Sequence, residues 1–210
     1  MHSIIPAHEI TLGLLAGGKA SRLGGVDKAW LERDGVPQVL RWSKRCPGEH
    51  GPVLVSANRH FDRYRERGVT AVPDRTSARR SDLGTTGMIG PLGGLDALAQ
   101  ACTTPWLFTL PVDVVGTNDC LLRTLLSKRE RNGAYAVDDD GPQPLIALWR
   151  RDALRAACND AIAAHDYAVH RLAQRCDLPA VLFSGFRFGN LNTPDDLHAA
   201  GFVLQETPSS

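Results

Sequence analysis

Between residues 14 and 30 the sequence reads LLAGGKASRLGGVDKAW, placing four glycines, the cations Lys19, Arg22 and Lys28 and the carboxylate Asp27 directly after an apolar run. Glycines let main-chain amides approach a ligand and converge on it, and such amides beside a helix start form a concave anion site. Three cations within ten residues supply countercharge for a polyphosphate. A P-loop pattern runs from Gly13 through Gly18 and Lys19, but position 20 is alanine and lacks the hydroxyl that would hold Mg²⁺. A G-x-G-x-x-G fingerprint cannot be laid over these residues. A further carboxylate, Asp113, closes the buried run PWLFTLPVD.

These residues need a scaffold. ITLGLLA (10 to 16) reads as a strand buried on both faces, followed by a helix from beyond DGVP to about Arg45, the strand GPVLVSA, the helix FDRYRER and the strand GVTAVPD. That alternation predicts an α/β fold with a doubly wound, mostly parallel sheet. Residues 75 to 89 are polar and without sustained periodicity, and read as a long loop. Next come a helix at 91 to 102, the strand 105 to 113 and a helix at 118 to 130 with Asn118 as its N-cap. GAYAV and PLIALWR flank the acidic turn DDDGPQ, read as solvated. The helix 151 to 164 carries Leu154, Ala157, Cys158, Ala161 and Ile162 on one stripe. A second helix in YAVHRLAQR, strand material in AVLFSGFRFGN and a helix started by TPDDL complete the chain. TPDDL is helix-start chemistry: Thr193 as cap, Pro194 at the first turn, then acids.

With 210 residues, 43% hydrophobic, the chain suits one domain, with a core over about 10 to 202 and a polar tail at 203 to 210. A net charge of +1 from 24 basic and 23 acidic residues gives no global field for nucleic acid or a membrane surface. The five cysteines are widely spaced without C-x-x-C, so they read as reduced thiols rather than disulfides or zinc ligands. Seven histidines show no metal-binding spacing. Without a basic leader or an apolar stretch of spanning length, the protein is expected in the cytoplasm.

LAGGKASRLGGVDKAWLERDGVP fits the nucleotidyltransferase signature L-A-G-G, two or three residues, R-x-G, D-K, G-x-P. With VLVSANRH, VPD, GPLGGL, LPVD, QPLIALW and GNLNTPDDL following in order, the chain resembles the molybdenum cofactor guanylyltransferases, MobA-like enzymes with a Rossmann-like nucleotidyltransferase fold that join GMP to molybdopterin. The resemblance implies that Leu15, Ala16, Gly17 and Gly18 line the nucleotide loop, that Lys28 meets the phosphates, and that Asp74 lies near the guanine. It also implies that Asp113 holds Mg²⁺, that Gly90 and Gly93 bring a helix start close to the nucleotide, and that Asn190 and Asn192 stand beside the acceptor. Catalysis is then positioning and charge neutralisation by Arg22, Lys28 and Asp113, with Arg22 forking onto the leaving pyrophosphate. GTP and molybdopterin are the implied substrates, with transient contact to molybdoenzymes or their chaperones. The sequence departs at Ser56, where the family usually has asparagine in the nucleotide pocket. It also departs at GPLGG for GPLAG, at Val112 for a common cysteine, and in the length of 75 to 89. None of these removes a charged group. A cytidylyltransferase for the same cofactor, a sugar-phosphate nucleotidyltransferase and a non-catalytic cofactor carrier are the competing readings.

Overall fold

Four short apolar runs become neighbouring parallel strands, and their tips define where chemistry can occur. In the computed structural model, residues 4–18, 26–45, 48–80, 86–117 and 119–202 are described. β1 (Ile10–Leu15) pairs in parallel with β4 (Val53–Ser56) on one side and with β8 (Trp106–Pro111) on the other. β5 (Thr70–Val72) extends the sheet beyond β4. On the opposite flank β10 (Gly141–Arg150) runs antiparallel to both β8 and β9 (Gly133–Asp138), and β11 (Ala180–Leu182) forms the edge, parallel to β9. The seven-stranded order is β11-β9-β10-β8-β1-β4-β5, mostly parallel as the βαβ alternation predicts.

The strands alternate their side chains between two cores. Ile10, Leu12 and Leu14 of β1, with Phe108 and Leu110 of β8, pack against Trp42 of α1 (Gln38–Arg45), Tyr64 of α2 (Phe61–Glu66), and Leu121, Leu122 and Leu125 of α4 (Leu121–Lys128). On the other face Leu107 and Trp149 meet Leu92, Leu95 and Leu98 of α3 (Pro91–Ala101). That core continues through Leu154, Ala157, Cys158 and Ala161 of α5 (Arg151–Ala163) to Leu172 of α6 (Val169–Arg175). Gly13 in the middle of β1 makes this close layering feasible: a Cβ there would stand 2.9 Å from Leu107 Cδ1 and 3.1 Å from Leu98 Cδ1. Burial pushes the Cys176 thiol up to about 11 and the Cys158 thiol higher still, which keeps both unreactive.

Three segments carry structure that the sequence reading did not give them. Within residues 75 to 89 the described parts are not plain loop: β6 (Thr76–Arg80) and β7 (Thr86–Met88) pair antiparallel, apart from the main sheet. A two-stranded pairing outside the main sheet needs no apolar alternation, so periodicity carries no sign of it. ERDGVP forms a miniature hairpin, β2 (Glu32–Arg33) and β3 (Val36–Pro37), turned by Asp34 and Gly35 at φ 54° and 70°. Both positive φ values suit the Asp-Gly pair. The DDDGPQ turn is not solvated throughout, because Asp138 is only 3% exposed and β10 already begins at Gly141. Asn118 lies outside the described residues, and α4 starts at Leu121 behind Cys120, which makes no side-chain cap bond. Among the described residues no helix is long and apolar enough to cross a membrane.

Phe108 of β8 is 1% exposed in the core that faces α1, α2 and α4, so Phe108→Ala should lower the unfolding free energy by about 3–5 kcal/mol. Urea denaturation checks this, with an unchanged m-value marking a loss of packing rather than a changed unfolded state.

Candidate active site

Because β1, β4, β5 and β8 run in parallel, the chain leaving each of them emerges at one edge of the sheet, where open α/β folds bind ligands. A cavity of about 540 Å³ lies there, walled by Leu15 to Gly18, Lys28, Ser56, Asn58, Asp74, Gly90, Gly94 and Asp113 among others. The start of the glycine loop is clamped between strand tips: Ala16 N–H donates to Ser56 O at 2.8 Å, and Leu15 O accepts from Val112 N–H at 3.0 Å.

One wall of the cavity is built around Asp74, two residues beyond β5. Its carboxylate accepts from the Ser56 hydroxyl on one oxygen and from Asn58 Nδ2 on the other at 2.9 Å, while Asp74 N–H donates to Asn58 Oδ1 at 3.2 Å. Two glycines make room for this cluster. A Cβ on Gly17 would lie 2.2 Å from Asp74 Oδ2, and one on Gly94 would lie 2.6 Å from Ser56 Oγ. Asn58 is the residue the sequence reading passed over. It stands two positions beyond Ser56 in VLVSANRH, so a side-chain amide still faces the pocket although position 56 is serine.

The opposite wall carries charge. Asp27 begins a 3-10 turn, Lys28–Trp30, by accepting from Ala29 N–H at 3.1 Å. The turn directs Lys28 Nζ to Asp113 Oδ2 at 2.8 Å and to Asn192 Oδ1 at 2.7 Å. Asn192 reaches this point because Leu191 N–H donates to Asp113 O at 3.0 Å and Val115 N–H to Gly189 O at 2.8 Å, sewing residues 189–192 onto the segment after β8. Behind it Thr193 and Asp196 form a reciprocal capping box on α7 (Pro194–Ala199). Hydrogen bonding to Thr193, then the Asn192 N–H, and more distantly the Lys28 ammonium hold the Asp196 carboxyl below its usual range.

The remaining sequence candidates fall in several places. Gly90 caps α3 at φ 64° and lines the cavity. Gly93 lies behind it, where a Cβ would come within 2.4 Å of Arg75 O, which gives a reason for GPLGG in place of GPLAG. Asn190 bridges to Val114 and lines a different cavity of about 770 Å³ beside α1 and α7. That second space is rich in arginine, but Arg33 and Arg41 lie 3.5 and 3.6 Å from Asp34, Arg45 lies 3.2 Å from Asp119, and Arg33 also donates to Ala200 O. Arg22, with Lys19, Gly24 and Gly25, lies outside the described residues.

The cavity thus joins the start of the glycine loop to the Lys28 ammonium, the Asp113 carboxylate and, at the far wall, the Asp74 carboxylate, with Arg75 also on its lining, a set suited to a phosphorylated ligand with both a charged and a hydrogen-bonding end. The MobA-like NTP transferase domain model matches residues 13–178. The chain belongs to the MobA-like NTP transferase family. It is 31% identical to the molybdenum cofactor guanylyltransferase of Yersinia pseudotuberculosis serotype O:1b over 190 residues, covering 89% of this chain and 92% of that protein. In fold it is similar to the molybdopterin-guanine dinucleotide biosynthesis protein A of Archaeoglobus fulgidus (TM-score 0.59, 17% identity, 91% and 96% of the two chains). It is also similar in fold to the 2-C-methyl-D-erythritol 4-phosphate cytidylyltransferase of Thermus thermophilus (TM-score 0.63, 16% identity, 90% and 96%). As a MobA-like family member the chain is a nucleotidyltransferase with a Rossmann-like sheet.

Two outcomes test this geometry. Gly17→Ala should fold normally yet weaken nucleotide binding at least about tenfold, roughly 1.4 kcal/mol, because its methyl displaces Asp74. Titration with a fluorescent nucleotide measures it. The Asp196 carboxyl has a folded pKa below its unfolded value of about 3.9, so its contribution is complete above that value and lost as pH falls through the folded one. Urea midpoints should therefore fall below about pH 4, and the fall should be shallower in Asp196→Asn.

Proposed function

We propose that the chain transfers GMP from GTP to the terminal phosphate of molybdopterin, releasing pyrophosphate. The observation that carries the reading is the separation of charge along one cavity: an acceptor carboxylate, Asp74, at one wall and the Lys28–Asp113 pair at the other. Guanine presents adjacent N–H donors, and a carboxylate accepts from both. Ser56 and Asn58 hold Asp74 from behind so that its orientation is fixed before the base arrives.

The reacting groups are both anionic. An oxygen of the acceptor phosphate attacks the α-phosphorus, the new P–O bond forms, and the bond to the β-phosphate oxygen breaks. There is little covalent work for the protein, so its tasks are alignment and neutralisation. In this reading Lys28 offsets charge at the α- and β-phosphates, Arg22 takes the leaving pyrophosphate, and the amides after Leu15 cradle the triphosphate. Asn192 keeps the Lys28 ammonium aimed when substrate is absent.

Mg²⁺ belongs to this reading as well. Among the described residues no group of three or more histidine, cysteine, aspartate or glutamate side chains forms a cage. Mg²⁺ needs none, because it retains waters and takes one or two carboxylates plus substrate phosphates. Asp113 fits that role: it lines the cavity and is already poised toward a positive group. Bound there, the ion would withdraw charge from the phosphates. The finished cofactor is labile, so the proposal includes transient hand-over to molybdoenzymes or their chaperones.

Incubation with molybdopterin and each of the four NTPs, read as pyrophosphate release, tests the assignment. GTP should be preferred, and equal use of CTP would overturn it. Lys28→Ala should fold and lose about 10²- to 10³-fold in turnover. Wild-type turnover from the folded variant would remove Lys28 from the mechanism.

A further inference from the structure

Asp138 is the last residue of β9 and is buried, yet its carboxylate faces only donors. Phe188 N–H donates to Oδ2 at 2.6 Å, while Asp140 N–H at 3.1 Å and Gln143 Nε2 at 3.2 Å donate to Oδ1. The bond from Asp140 is an ordinary aspartate turn. The bond from Phe188 spans 50 residues. The neighbouring Asp139 strengthens the tie, its N–H donating to Phe186 O at 3.0 Å and its Oδ1 accepting from Gly185 N–H at 3.2 Å. Immediately after Phe188 the chain enters the segment whose bonds to Val115 and Asp113 bring Asn192 onto Lys28.

We propose that Asp138 is a positioning residue for the transfer reaction: its buried carboxylate fixes residues 186–188 and so sets the register in which Asn192 meets the Lys28 ammonium. The inference rests on the function proposed above. An ionised carboxylate is the one side chain of this size that accepts on both oxygens. Asparagine would turn an NH₂ toward at least one of the three donors whichever way it flipped, leaving a buried N–H unpaired. Burial pushes the Asp138 pKa up, but the Phe188 N–H, the Gln143 amide and the N–H groups of Asp140 and Gly141 outweigh it and hold the carboxyl below its usual range. The nucleotide cavity is not lined by residues 186–192, so the effect falls on the aim of Lys28 rather than on the base pocket.

Asp138→Asn in the full chain, set beside Asn192→Ala and the double variant, tests this. GTP affinity by calorimetry should stay within about twofold while kcat falls at least about tenfold, since small misplacements are costly to an aligned reaction. The double variant should be no more than about twofold slower than Asn192→Ala, the signature of two residues acting through one contact. Amide exchange at Val115 and Leu191 should accelerate in Asp138→Asn while that of β1 does not change, a readout that does not depend on turnover. Full kcat in folded Asp138→Asn, or multiplicative losses in the double variant, overturns the proposal. If Asp138→Asn fails to fold, Asp138→Glu decides: it keeps the charge one methylene farther out and should show the same split, and unaltered kcat with unaltered exchange counts against the inference. Absence of GMP transfer by the wild-type chain would instead remove the parent reading and this one with it.

Discussion

The Lys28 ammonium lies between Asp113 and Asn192, with the two charged side chains 17% and 22% exposed. At that degree of withdrawal from water, the attraction is stronger than in a surface pair but is offset by lost hydration, so it adds little net stability. Its effect is on geometry. A flexible lysine stem, which otherwise samples many rotamers, is confined to one direction by an anion on one side and an amide oxygen on the other. Every larger feature of the fold can be read as a means of placing those three residues.

Asp113 is carried by β8, whose register against β1 is fixed over six residue pairs from Ile10 with Trp106 to Leu15 with Pro111. Lys28 is carried by a 3-10 turn anchored by Asp27. Asn192 is carried by a segment with no strand or helix of its own, held by backbone bonds to the exit of β8 and by the capping box behind it. The first two placements come from rigid elements and the third from a lattice of individual hydrogen bonds. The carboxylates of Asp138, buried, and Asp196, half-buried, supply part of that lattice.

Much of this was legible in the sequence. The parallel sheet followed from apolar runs bounded by glycines, and Leu15 to Gly18, Lys28, Ser56, Asp74 and Asp113 all line one cavity. The less legible parts share a physical cause: they depend on what a residue touches across the fold, which spacing does not encode. Asn58 looks like loop polarity until Asp74 is seen beside it. Asp138 looks like one of three solvated turn acids until Phe188 folds back on it. Gly93 and Gly94 are indistinguishable in GPLGG, yet one gives way to the Arg75 carbonyl and the other to Ser56. The β6–β7 pairing has no apolar alternation in TSARR and TGM to betray it.

The contact between Lys28 and Asn192 spans 164 positions of sequence. During synthesis the glycine loop, the central strands and Asp113 leave the ribosome long before residue 192 does, and the early chain can close most of its sheet without it. The cation stays untethered on its Asn192 side until β11 and the segment beyond it have docked. In the proposed reading, turnover competence is therefore a late event in the life of each chain, separate from the burial of its core, and a chain arrested before Asn192 would have much of the architecture of the enzyme without its aim.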